Sequence, residues 1–235
     1  TIEEARSIET SLDIVEGFRF DSGYLATAFI TDEKRGVVRY DDPLILVTDE
    51  KIDTVEELMP ALEIAAREVR PFIIIAENIE GQALAALIMN ATRGTLRIAG
   101  IKAPRYGEER RNILKDLALS VGATFITIEQ NLRLRDVKLT QLGRAKTFES
   151  AKNFTTIVGG KGDLDETEKR IEALKAEITQ TDSLHECERI QERITRLASG
   201  IAIIRVGAAT EIEMIEKKHR IQDALEAVKS AQLEG

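Results

Sequence analysis

The sequence predicts an α/β fold in which helices pack on a mostly parallel sheet. Three observations predict it. Residues 72–75 (FIII) form an apolar run too short for a helix and rich in β-branching, as in a buried strand. Residues 82–93 lack proline and glycine, are rich in helix formers and end at Gly94, which reads as a helix with a glycine C-cap. Residues 96–101 return to a strand pattern. Strand, helix, strand is a βαβ unit, and such units need helices lying on the sheet they connect.

The elements follow in order. The polar opening ends in Leu12, Ile14 and Val15, and Gly17 after Glu16 is a candidate swivel. Residues 23–30 are apolar and extended, with Tyr24 and Phe29 as exposed aromatics. Residues 37–40 and 44–48 are strands parted by the turn Asp41-Asp42-Pro43. Thr54 is the expected N-cap of the next helix, with Glu57 as capping-box partner. That helix carries Val55, Leu58, Met59, Leu62 and Ala65 as one stripe, and Pro60 bends it or restarts its first turn.

The helix over 82–93 has too much apolar surface for one packing face. Leu84 and Ile88 lie one turn apart, whereas Leu87 lies about 100° round the axis from Ile88. Such a helix is either sandwiched inside one core, the plainer reading, or it leaves an apolar face for another protein.

Residues 102–107 form a loop, and 109–121 an amphipathic helix through Ile113, Leu114, Leu117 and Val121, closed by Gly122. Residues 124–128 read as a strand, 139–143 as a turn of helix, and 145–148 with 155–158 as a hairpin. The cluster Gly159-Gly160-Lys161-Gly162 is a flexible turn. A phosphate loop needs Ser or Thr after its Lys and a helix at once, and here Gly162 and Asp163 follow. Residues 164–197 read as an antiparallel helical hairpin, seamed by Ile171, Leu174 and Ile178 against Cys187, Ile190, Ile194 and Leu197. On that seam Cys187 is a small core residue, and His185 falls outside it. After Ser199 and Gly200 come a strand over 201–206 and a helix from Thr210, a second capping box with Glu213, to about Gln232. Met214, Ile221, Leu225 and Val228 form its packing face, with Glu216, His219 and Asp223 on a polar one. Gly17 and Gly200 tie the two ends to the middle, the geometry of an inserted domain on two adjacent connections.

Composition removes several function classes. At 235 residues and 43% hydrophobic content the chain supports one large or two small domains. A net charge of −8 argues against nucleic-acid binding. The single Cys187 excludes a disulfide framework and a cysteine-based zinc site, and fits a reducing compartment. No apolar run approaches the roughly 18 residues of a membrane span. The first residue is Thr and no signal-peptide pattern follows, so the expectation is a piece of a longer protein. No nucleophile–base pair, metal cluster or dinucleotide fingerprint supports a small-molecule enzyme.

Four stretches carry a family resemblance: LDIVEGFRF with Gly23-Tyr24-Leu25; IIAENIEGQALAALIMNATRG; IKAP; and QERITRLASGIAIIRVGAATEIEMIEKKHRIQDAL. In this order the chain resembles the middle of a group I chaperonin of the GroEL type, the 60 kDa chaperonin family. The resemblance implies a GroEL apical-domain-like sheet core over 16–201, flanked by helices and carrying the helical hairpin. It implies a small α+β intermediate domain made of both ends, 1–15 and 202–235. The equatorial domain, which in the family holds ATP and Mg2+ and most ring contacts, is absent. The intact protein would be a chaperonin ATPase of the protein-folding isomerase class, while this piece would bind no nucleotide itself.

The implied apical groove takes non-native polypeptides and a GroES-type co-chaperonin lid. Carried over by position, its residues are Tyr24, Phe29, Met59, Leu62, Leu84, Ile88 and Met89. Asp223 matches the intermediate-domain carboxylate that orients the attacking water, and Gly17 and Gly200 match the upper hinge. The implied full-length state is a homo-oligomeric ring without nucleic-acid or membrane partners. Its implied place is the cytoplasm of a bacterium or phage-infected cell, or the mitochondrial matrix in a eukaryote. The alternative function is an ATP-independent holdase module. The chain also departs from the family pattern, which suggests a divergent member. Ala28 stands for a groove Tyr, Ser199 for a hinge Gly, Arg105 for a loop Gly, and Ser22 for an Arg that pairs with the acid matching Glu211.

Overall fold

The computed structural model describes residues 2–4, 9–181, 183–198, 200–208 and 210–234. Ser199, expected at the hinge, lies outside them. The elements run β1 (Ile2–Glu4), β2 (Ser11–Phe20), β3 (Val38–Asp41), β4 (Leu44–Thr48), β5 (Lys51–Ile52), α1 (Val55–Glu68), β6 (Phe72–Ala76), β7 (Asn78–Ile79) and α2 (Gly81–Arg93). They continue with β8 (Ile98–Lys102), α3 (Gly107–Val121), β9 (Phe125–Ile126), β10 (Gly143–Ser150), β11 (Thr155–Gly160), α4 (Leu164–Gln180), α5 (Leu184–Ala198), β12 (Gly200–Val206) and α6 (Glu211–Glu234). The chain divides into two compact units, Glu16–Ser199 and the pair Thr1–Val15 with Gly200–Gly235.

In the larger unit, β4 (LILVT) and β6 (FIIIA) are buried at every position, which requires cover on both faces. β4, β6 and β8 pair in parallel, with Leu44 opposite Phe72 and Phe72 opposite Ile98. β9 adds to β4 in parallel as well. The rest of the sheet corrects the mostly parallel expectation. β10 joins β4 antiparallel, carries β3 and β11 antiparallel along its length, and β11 pairs antiparallel with β2. The sheet is therefore mixed. The reason is local: β10 and β11 are joined by a tight turn, closed by Ala151 N–H donating to Phe154 O at 2.8 Å, with no helix to force a crossover.

Connections fix the helix positions. The chain steps from β4 through α1 to β6, then through α2 to β8, in one direction across the sheet. Right-handed crossovers place both helices on one face, running the same way, and they touch. α3 leaves β8 and returns to β9, so it covers the opposite face with Ile113, Leu114, Leu117 and Val121, the predicted stripe. Its close approach to β10 needs Gly143, where a Cβ would meet Val121 Cγ2 at 2.5 Å.

The hairpin α4–α5 buries Leu174, Ile190 and Ile194 on the predicted seam. Cys187 is half-buried there, its thiol directed at Thr181 O at 3.6 Å, and the His185 side chain is 79% exposed. What fixes the hairpin to α3 is polar. Arg193 on α5 donates to both carboxylate oxygens of Asp116, from Nε at 2.7 Å and Nη2 at 2.9 Å, and both residues are buried. Arg170 on α4 approaches the same carboxylate at 3.6 Å.

Several local expectations are corrected. Thr54 is the α1 N-cap by backbone geometry, but its Oγ1 is buried without a partner among the described residues, so no capping box with Glu57 forms. Residues 23–30 are not extended throughout, because Thr27–Phe29 is a 3-10 turn. The strand over 124–128 shrinks to β9, and Ile128 opens a 3-10 turn with 68% of its surface exposed. The turn over 139–143 is a 3-10 turn at Leu139–Gln141.

Helix C-termini show one point of strain. α2 and α3 end on Gly94 (φ 68°) and Gly122 (φ 70°), the residues that adopt left-handed backbone freely. α1 instead ends on Val69 at φ 56°, exposed, in a conformation that a β-branched residue resists. Val69→Gly is therefore expected to stabilise the fold by about 1 kcal/mol, raising Tm by about 2–4 °C in calorimetry. A lower Tm would contradict this. Arg105 (φ 60°) shows why a glycine is at home at that loop position.

In the smaller unit β1 pairs in parallel with β12, Ile2 opposite Ile204, and Gly207 N–H donates to Thr10 Oγ1 at 3.3 Å. Thr210 caps α6 through Oγ1, which accepts from Glu213 N–H at 3.2 Å, one arm of the predicted box. The packing face expected for α6 is only partly buried. Met214 and Ile221 are half-buried, but Leu225 (37%) and Val228 (56%) are exposed, as are Ile212 and Ile215.

Candidate functional site: a groove between two helices

The short parallel pair β5–β7 sets where α1 and α2 begin. Lys51 lies opposite Asn78 and Ile52 opposite Ile79. Glu80 N–H then donates to Ile52 O at 2.9 Å and Ala83 N–H to Asp53 O at 3.0 Å. Gly81 opens α2 at φ 59° against Asp53, where a Cβ would sit 3.4 Å from the carbonyl oxygen. The two helix N-termini are thus held by backbone bonds to one loop. A third wall comes from residues 23–29. Leu25 N–H donates to Gly100 O at 2.9 Å and Lys102 N–H to Gly23 O at 3.1 Å, pairing this segment with the outer edge of β8.

On this frame the predicted residues separate into wall and floor. Met59 on α1 (45% exposed) and Met89 on α2 (50%) stand open to solvent. Leu84 and Ile88 are half-buried and rest on the core, while α2 inserts Ala83 and Leu87 fully beneath it. Tyr24 is half-buried beside β8. Leu62 is 8% exposed and belongs mostly to the floor. Phe29 is the correction: it was expected as an exposed aromatic and is 1% exposed, because the 3-10 turn folds its ring in over Gly100. Thr27 and Ala28, in the same turn, are left facing solvent. The outcome for α2 combines the two sequence readings, with one stripe in the core and an adjacent stripe half-open.

Charges surround the groove without entering it. Lys51 pairs with Glu80 at 2.9 Å at its upper end, and the hydrogen bond that Lys51 donates to this carboxylate, with the carboxylate's charge, raises the Lys51 pKa. Just before α1, burial pushes the Glu50 carboxyl up, helped by the like charges of Glu57 and Asp49 and opposed by Arg133. Residues at one helical turn from Met59 and Met89, namely Glu56, Glu63 and Arg93, went unnoticed in the sequence although their spacing was there to be read.

The remaining predicted residues lie elsewhere. Gly17 sits within β2 opposite Val158, and Gly200 opens β12. Asp223, with Glu216 and His219, is exposed on α6. The glycine cluster, expected as a flexible turn, begins within β11, where Gly160 pairs with Ala145, and it does not fit a triphosphate. A Cβ at Gly160 or Gly162 would lie 2.2 Å from Ser120 O or 2.0 Å from Leu119 O, so carbonyl acceptors fill the space phosphate oxygens would need. α4 behind it begins with Asp163, Asp165 and Glu166, which repel an anion. No group of three His, Cys, Asp or Glu able to hold a metal occurs among the described residues. No described helix is long and apolar enough to cross a membrane. No protein-family model matches the chain.

Proposed function

We propose that the groove between α1 and α2 binds apolar segments of non-native polypeptides, and that the chain is the apical and intermediate part of a group I chaperonin. The observation that carries this is the half-buried pair Leu84 and Ile88, with Met89 and Met59 exposed on the same two adjacent helices over a fully buried core. Unfolded chains share exposed apolar side chains and no common sequence. A receptor for them should be apolar, adaptable and mounted on a rigid scaffold, and Met beside Leu and Ile supplies the first two. Burying roughly 300–400 Å² of apolar surface would contribute about 8–10 kcal/mol at 25 cal/mol/Å² before ordering costs. Those costs leave reversible binding. The same groove would take the lid co-chaperonin, so lid and substrate would compete.

Nucleotide chemistry belongs, in this proposal, to a domain outside these residues. The specific observation favouring the holdase reading for this chain alone is the carbonyl-filled glycine cluster. Calorimetric titration with ATP, beside suppression of aggregation of a denatured protein, tests both. Suppression without ATP binding is expected. ATP binding by this chain would overturn the domain assignment, and no suppression would overturn the groove. In a longer chain carrying the nucleotide domain, Asp223→Ala is expected to retain ATP binding and lose turnover, since an exposed carboxylate there is proposed to orient water. Normal hydrolysis would remove that role.

A further inference from the structure

α1 and α2 run in the same direction, so their first turns share one end of the groove and their last turns the other. The charged side chains divide accordingly. Glu56 and Glu57 lie in the first turn of α1, and Arg67 and Arg93 lie in the last turns of α1 and α2. Glu56 and Glu63 are spaced at a helical turn on either side of Met59, and Arg93 follows one turn after Met89. All of these but Glu57 are exposed, and among the described residues Glu56, Glu63, Arg67 and Arg93 enter no ion pair. Acid-first, base-last order also suits each helix macrodipole, but a helix end carries only about half a charge against a full charge on each side chain. Glu63 stands mid-helix and Glu68, next to Arg67, is half-buried, so the exposed charges at the two ends are Glu56 at one and Arg67 with Arg93 at the other.

We infer that the groove prefers an extended apolar segment flanked by one basic and one acidic residue. This rests on the groove being the polypeptide site. Glu56 and Arg67 are separated by about 16 Å of helix at 1.5 Å per residue. An extended peptide covers that distance in about five steps, so the favoured spacing is an apolar core of about four residues between the charges. A net-negative surface acting as a whole would instead favour two basic flanks.

Four peptides with one four-residue Leu/Val core test this, flanked by Lys and Glu, by two Lys, by two Glu, or by two Ser. In fluorescence anisotropy at low salt, the Lys/Glu peptide is expected to bind about threefold to tenfold tighter than either same-charge peptide. The advantage should vanish at about 1 M salt. Arg67→Glu with Arg93→Glu, which makes both ends acidic, should move the preference to the two-Lys peptide. Tightest binding of the two-Lys peptide to the unaltered chain, or equal binding of all charged peptides, would overturn the inference and leave the groove standing. Failure of the Ser-flanked peptide to bind would instead remove the groove as a polypeptide site, and the inference with it.

Discussion

A chain carrying Leu84→Ser and Ile88→Ser is expected to lose most of its affinity for a permanently unfolded protein. Each side chain is half-buried in the free groove, so a bound segment covers the remaining half. Removing both apolar contacts costs about 2–3 kcal/mol of binding, or roughly 30-fold to 150-fold in Kd. Because both residues also rest on the core, Tm should fall by several degrees while the far-ultraviolet circular dichroism stays native. Met59→Ser with Met89→Ser reaches the same groove through residues that are about half exposed, with a smaller loss of stability. Unchanged affinity in both folded double variants would remove the groove from the account.

The largest effect on stability is expected at Arg193. Arg193→Ala leaves the Asp116 carboxylate buried, with only Arg170 at 3.6 Å in partial compensation. Breaking a buried pair from one side costs about 3–5 kcal/mol, and the hairpin α4–α5 should detach from α3 before the sheet unfolds. Replacing both partners by apolar residues, Arg193→Met with Asp116→Leu, should recover most of that loss, since no buried charge remains. Urea unfolding followed by circular dichroism reads both variants. A single variant within 1 kcal/mol of wild type would show that water reaches Asp116, and the pair would then hold nothing.

These two sites differ in how far the sequence discloses them. The apolar surplus of α2 is visible in the spacing of Leu84, Leu87 and Ile88, because helical periodicity is a local property. The run at β4 and β6 announces buried strands for the same reason. Phe29 misleads because its depth depends on a 3-10 turn folding it over Gly100, a contact made 71 positions away in the chain. Asp116 interrupts an apolar stripe, which marks it as unusual, but its partner 77 residues on cannot be read from either neighbourhood. The direction of β10 and β11 is likewise set by a tight turn rather than by any strand pattern, so a mostly parallel sheet was the natural expectation and a mixed one the result. The capping boxes show the limit at close range. Thr210 caps its helix and Thr54 does not, although both present the same spacing to a glutamate.

The protein has three methionines: Met59 and Met89 stand on the two groove helices, and Met214 belongs to the smaller unit. With methyl-13C methionine the chain should give three resolved signals, assigned by single Met→Leu variants. On titration with a permanently unfolded protein, the Met59 and Met89 methyls are expected to shift and broaden together while Met214, on α6 in the smaller unit, stays in place. Binding that moves Met214 and leaves Met59 and Met89 unaffected would contradict the assignment of polypeptide binding to the groove between α1 and α2.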